Sequence, residues 1–187
     1  MIGSASLPSA GATAYTRRTL EKSIMTCDAF LKIATIPGES TDVKFNRWIE
    51  ILSFNHGVTQ PGSGNVSIAA GRTSSRVDHS DFVVVKAVDK TSPKLALACC
   101  HGEHISDVTL TFIRAEVGRS VSIEYKMSDV IVRAVSAYIA SAGQAPLEQV
   151  SFAYCRITWK YTESDGSGGK PIGEVKTYWD LASNKGS

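Results

Sequence analysis

Cys99, Cys100, His101 and His104 bring thiols and imidazoles together within residues 99–104, and that mixed donor set is one that zinc selects. Their spacing argues against a site. On a helix Cys100 and His104 would share a face, but Gly102 stands between them as a terminator, and no second CxxC or HxxxH completes a tetrahedral set. The cysteines are therefore read as small buried hydrophobes and the histidines as an exit turn. His56 is the second candidate. It closes an apolar run in SFNHG beside a flexible glycine, where a general base could reach a substrate, and Ser53 is close in sequence. Residues three apart on an extended chain point to opposite faces, however, and no GxSxG elbow exists for acyl transfer. His56 is expected instead to fix a strand-to-loop turn by hydrogen bonding. The string GSGGK at 166–170 resembles the end of a phosphate loop, yet Ser164 occupies the first-glycine position and Pro171 replaces the magnesium-binding hydroxyl, so it reads as a turn. Asp28, Asp42, Asp81, Asp107 and Asp129 lack calcium-loop spacing. No catalytic, cofactor-binding or metal site is expected.

The elements that carry these residues are mostly strands. Val108, Leu110 and Phe112 alternate with threonines, and Val121, Ile123 and Tyr125 with polar residues, which is the period of half-buried β structure. The run from Phe82 to Val88, interrupted only by Lys86, reads as a strand covered on both faces. In the stretch 148–161 the apolar set shifts from Val150, Phe152 and Tyr154 to Ile157, Trp159 and Tyr161, a parity change that predicts a bulge near Arg156. DGSGG at 165–169 predicts a hairpin before a last strand that reaches Trp179 and Leu181. One segment breaks the period. Ser92 as N-cap, Pro93 at the first helical position and Gly102 at the end predict a short helix of about nine residues.

Composition bounds the function. A chain of 187 residues with 43% hydrophobic and 20% charged content suits one domain with a core of its own. Its net charge of +2 resides in Arg17, Arg18 and Lys22 against Glu21. The remainder is neutral and has no basic stripe, which argues against a nucleic-acid grip. The four cysteines include an adjacent pair and follow no secretory signal core, so reduced thiols made in the cytoplasm are expected. No apolar run is long enough to span a membrane as a helix. Residues 1–24 are small, polar and aperiodic and read as a flexible extension, with Met25 a candidate native start and 25–187 the folded β domain.

The most informative stretch is LSFNHGVTQP at 52–61. Trp48, Leu52 and Phe54 lie on one side of an extended chain and Ile49 and Ile51 on the other, so both faces are expected to need cover. Residues 57–80 then form a Gly-, Ser- and Thr-rich loop, far longer than the roughly two to five residues of an ordinary hairpin connection. A long polar loop leaving a two-sided strand suggests contact with another molecule.

These segments, together with DAFLKI at 28–33, PGES at 37–40, DFVVVKAVDKTSPKL at 81–95, LACCHGEHI at 97–105, EYKMSDVIV at 124–132, LEQVSF at 147–152, ITWKYT at 157–162 and WDL at 179–181, resemble the haemolysin-coregulated protein (Hcp) family. The resemblance runs collinearly from Asp28 to Leu181; residues 1–24 match nothing in it and 136–145 match loosely. It implies a single-domain β-barrel of two sheets with one short helix, assembling as a hexameric ring and acting as the tube subunit of a bacterial type VI secretion system. Rings would stack into a tube propelled into target cells, carrying or chaperoning effectors in its lumen, with a contractile sheath, the spike protein VgrG and secreted effectors as partners. No enzyme activity, nucleic acid or membrane insertion is implied, and export from the cytoplasm would need no signal peptide. Mapped here, Gln60, Arg72, Arg76 and His79 are the expected ring-stacking residues, and Trp48 and Trp179 the lateral-interface candidates. The competing reading is a monomeric β-barrel that binds a small ligand at its mouth.

Overall fold

Alternating apolar and polar residues build most of the chain into antiparallel strands, as the computed structural model, which describes residues 27–61, 76–116, 119–165 and 170–187, makes explicit. In order the elements are β1 (Cys27–Ile33), β2 (Ile49–Ile51), β3 (Ser53–Asn55), β4 (Val58–Thr59), β5 (Asp78–His79), β6 (Phe82–Ala87), α1 (Ser92–His101), β7 (His104–Glu116), β8 (Arg119–Tyr138), β9 (Leu147–Asp165), β10 (Pro171–Asp180) and β11 (Lys185–Gly186). The chain is thus mainly β with one helix. The extension 1–24 and Arg72 lie outside the described residues.

Strands β7, β8 and β9 form a meander, and β9 serves two neighbours: its first half pairs with β6 and its second half with β10. On the other side β7 pairs with β1, and β1 with β2. β6 also pairs with β3, which follows β2 after a single residue, Leu52, whose N–H donates to the Val85 carbonyl at 2.8 Å. Leu31, Leu110, Met127, Ile157, Phe152 and Phe82, all fully buried, form the core between these strands. Each contributes roughly 1.5–3 kcal/mol by leaving water.

Two expectations are corrected. The segment 48–54 is not one two-sided strand. It breaks at Leu52, which is 63% exposed, and the break changes side-chain parity so that Ile49 and Ile51 before it and Phe54 after it all turn inward. The ladder, moreover, does not slip at Arg156. Its register shifts between Val132 and Ala134 of β8, while the parity change in β9 falls at two adjacent exposed residues, Cys155 and Arg156, across from Asp129 at φ 53°. The irregularity sits in the facing strand β8, at Val132–Ala134, beyond the left-handed Asp129.

The outer face of β1 is covered by its own following segment. Asp42 Oδ1 accepts the N–H groups of Lys44 (2.7 Å) and Phe45 (2.9 Å), a turn that lays the Phe45 ring on Phe30 with centroids 4.5 Å apart. Trp48 meets Phe45 edge-on at 5.0 Å, and the Lys32 ammonium lies 5.7 Å from the Trp48 ring.

Helix α1 ends as expected. Gly102 is left-handed (φ 61°, ψ 37°), and the Glu103 N–H reaches back to Ala98 O at 3.0 Å. Its start is one residue earlier than expected: Thr91, fully buried, is the cap, and Pro93 stands one place further into the first turn. Asp89 holds the cap residue in place, its Oδ1 accepting from the Thr91 N–H (2.8 Å) and hydroxyl (2.5 Å). Lys86 lies on the inward parity of β6, 1% exposed, and donates to Ala87 O (2.7 Å), Asp89 Oδ1 (2.9 Å) and Glu148 Oε1 (2.7 Å). Glu148, its cross-strand partner, is also buried and accepts from the Ser92 hydroxyl at 2.7 Å. Strand, sheet and helix start are joined through one satisfied ammonium.

Candidate functional site

The residues that leave the body for the long loop are His56 and Gly57, and those that bring the chain back are His79 and Ser80. Val58 and Thr59 pair with His79 and Asp78, so β4 and β5 make a two-rung ribbon. Below it the Gly57 N–H donates to Ser80 Oγ (2.8 Å) and the Ser80 N–H to Gly57 O (3.0 Å). The two ends of the loop are clasped to each other.

They are also clasped to the body. Tyr154, 8% exposed, continues the inward parity of Val150 and Phe152 in β9, and its hydroxyl lies 2.6 Å from His56 Nε2 and 3.1 Å from His79 Nδ1. The rings form an aromatic cage: His56 stacks on Phe82 at 5.4 Å, and His79 lies 6.2 Å from Trp159 and 6.5 Å from Trp179. Burial pushes His56 down to about 4, with the neighbouring His79 adding to the effect, and burial lowers His79 as well, outweighing the opposing charge of Asp78. Burial, reinforced by Asp81, raises Tyr154. At neutral pH both imidazoles are uncharged and the phenol keeps its proton. The His56 ring nitrogen that faces the interior is engaged by Tyr154, so the arrangement suits holding a loop in place, the hydrogen-bonding role expected for His56.

The other predicted residues separate into two groups. His79 and Trp179 belong to the cage, and the exposed Arg76 adjoins it by donating its guanidinium to the Leu181 carbonyl at the end of β10. Gln60 is exposed just beyond β4. Trp48 stands apart in the β1 cover with Phe45 and Lys32. Tyr154 was missed, although an inward tyrosine needs a partner for its hydroxyl and two histidines bracket the loop. The expectation of buried thiols fails for Cys100, which is exposed. Leu95 and Ala98 form the inward face of α1, leaving Cys99 half-buried and turning Cys100 outward. His104 opens β7 and meets Asp129 Oδ1 at 2.9 Å on the surface.

The fold is a mainly β body with one helix, in which the two ends of segment 57–80 are clasped to each other and to the body. The model of the family described as "Type VI secretion system effector, Hcp" matches residues 30–161, and this chain belongs to that family, whose members are secreted tube proteins of type VI secretion systems. It is 29% identical over 163 residues to Protein hcp1 of Pseudomonas aeruginosa, covering 86% of this chain and 98% of that one. Among solved structures it is similar to a type six secretion system protein (29% identity, TM-score 0.72) and to Hcp1 from Salmonella typhimurium (26%, TM-score 0.67). Both alignments cover 87% of this chain and all of the other.

Proposed function

We propose that six copies of this chain close into a ring through a heterologous lateral interface, and that the rings stack into a tube through the loop 57–80. The observation that carries this reading is the double clasp at Gly57, Ser80 and Tyr154, which gives a long polar loop a fixed point of departure from the body. Gln60, Arg72, Arg76 and His79 supply the stacking contact. Trp48 or Trp179 borders the lateral contact. The tube carries or chaperones effectors in its lumen, surrounded by a contractile sheath and tipped by the spike protein VgrG. The protein is made in the cytoplasm, leaves through the type VI apparatus without a signal peptide, and catalyses no reaction. Among the described residues no helix is long and apolar enough to cross a membrane.

Light scattering with negative-stain imaging tests the ring. Particles of six subunits with a central channel are expected, and a persistent monomer would end the proposal. The double change Arg72→Glu with Arg76→Glu is expected to leave rings intact and to weaken stacking by about tenfold or more, since reversed charge at a rim contact repels its partner. Measured by the ring concentration at which tubes form, an unchanged threshold would remove these arginines from the contact.

A further inference from the structure

A phenol offers one hydrogen-bond donor and two acceptor lone pairs, and here two imidazoles address the same oxygen. With both rings neutral, Tyr154 donates to one nitrogen and accepts an N–H from the other, so every group is satisfied. One added proton leaves the count intact, because the imidazolium donates to the phenol oxygen and the phenol still donates to the neutral ring. Two protons break it. Both nitrogens are then donors, the phenol proton faces no lone pair, and two cations with centroids 6.0 Å apart oppose each other in a half-buried cage. The cage walls are aromatic: Phe54 from β3, Phe82 from β6, Tyr125 from β8, Trp159 from β9 and Trp179 from β10. Four charged groups stand nearby: Asp78 beside His79 on β5, Asp81 ahead of β6 with Arg133 at 3.5 Å, and Arg76 on the Leu181 carbonyl.

We propose that His56, Tyr154 and His79 form an acid-sensitive latch that holds the base of loop 57–80 to the body with zero or one proton and releases it with two, so that contact between rings weakens in acid while each ring persists. The latch itself stands on the hydrogen-bond count; its effect on tubes rests on the stacking role given to the loop above. Asp78 steadies the first proton on His79. The second goes to His56, at about 4 in the closed latch against 6.5 for a released ring. Because the closed form has the lower value, it loses stability as the pH falls below about 6.5 and continues to do so until about 4, by roughly a hundredfold in the closed-to-open ratio from this group.

Hydrogen-exchange mass spectrometry on the assembled protein from pH 7.5 to 4, corrected for the intrinsic pH dependence of exchange, tests this. Peptides covering 56–61 and 76–81 are expected to lose about a hundredfold in protection relative to β7 and β8. His56→Gln keeps a donor and an acceptor but no titrating proton, and is expected to hold the base closed to pH 4. Tyr154→Phe is expected to leave it open at every pH. Constant relative protection in the unaltered protein, or an unaltered acid response in His56→Gln, would overturn the latch. Tube formation read in parallel keeps the two ideas apart. Acid opening with stacking retained supports the latch and removes the loop from the ring contact; acid loss of stacking with protection unchanged overturns the latch and leaves the loop its role.

Discussion

Lys86→Met is expected to destabilise the protein by about 3–5 kcal/mol, among the largest effects of any single replacement in the chain. The methionine fills the volume, so the loss comes from what it strands: Glu148, 2% exposed, keeps only the Ser92 hydroxyl, and Asp89 at the start of α1 loses its ammonium partner. The double change Lys86→Met with Glu148→Met is expected to recover most of the loss, because an apolar pair needs no compensation. Urea unfolding at pH 7 reads both; a single-variant loss below about 1 kcal/mol would mean that water reaches Glu148. Acid acts on the same network. Burial works to raise Asp89, but the hydrogen bonds from Thr91 and Lys86 together outweigh it and hold the carboxyl below the usual aspartate range. A depressed carboxylate stabilises above its unfolded value and loses that contribution as the pH falls through the folded one. The start of α1 is therefore expected to loosen below about pH 4, read as helix loss by circular dichroism.

Gly38→Ala is expected to cost about 2–3 kcal/mol, or roughly 5–10 °C in the midpoint of thermal unfolding. A methyl group there would sit 2.2 Å from Trp48 O, 2.4 Å from its carbonyl carbon and 2.6 Å from the Ile49 nitrogen. All three are backbone atoms, so no rotamer change relieves the contact. The approach is close because the Gly38 N–H donates to Arg47 O at 2.7 Å and the Ser40 N–H to Trp48 O at 3.0 Å, stitching the cover of β1 shut. Gly173→Ala in β10, where nothing lies within 4 Å of an added methyl, is the control and should change the midpoint little. Equal effects of the two changes would show that the cover yields without cost.

Much of this architecture was legible because it is local. The alternation of Val108 and Leu110 with threonines and the Gly102 end of α1 each follow from neighbouring residues, whereas most of the turn expected at 165–169 lies outside the described residues. Most of what was missed lay across the sheet. Leu52 reads as one more apolar strand residue, and only the pairing of β3 with β6 while β2 pairs with β1 requires a break there. Lys86 reads only as an interruption of an apolar run, and Glu148, its partner on β9, lies 62 positions away. The latch draws His56 to a tyrosine 98 residues on, so the histidines that bracket the loop were visible while the group joining them was not. Cys100 was misjudged because residue type favoured burial, whereas the face of α1 set by Leu95 and Ala98 decided it.

The short link between Gly57 and Ser80 has a consequence for how this chain can change over generations. Once its two ends are tied, a connection adds entropy cost only logarithmically with length, about 0.6 kcal/mol per doubling. Changes of length between the two ends are therefore expected to cost folding little, provided that the clasp at Gly57, Ser80 and Tyr154 is kept.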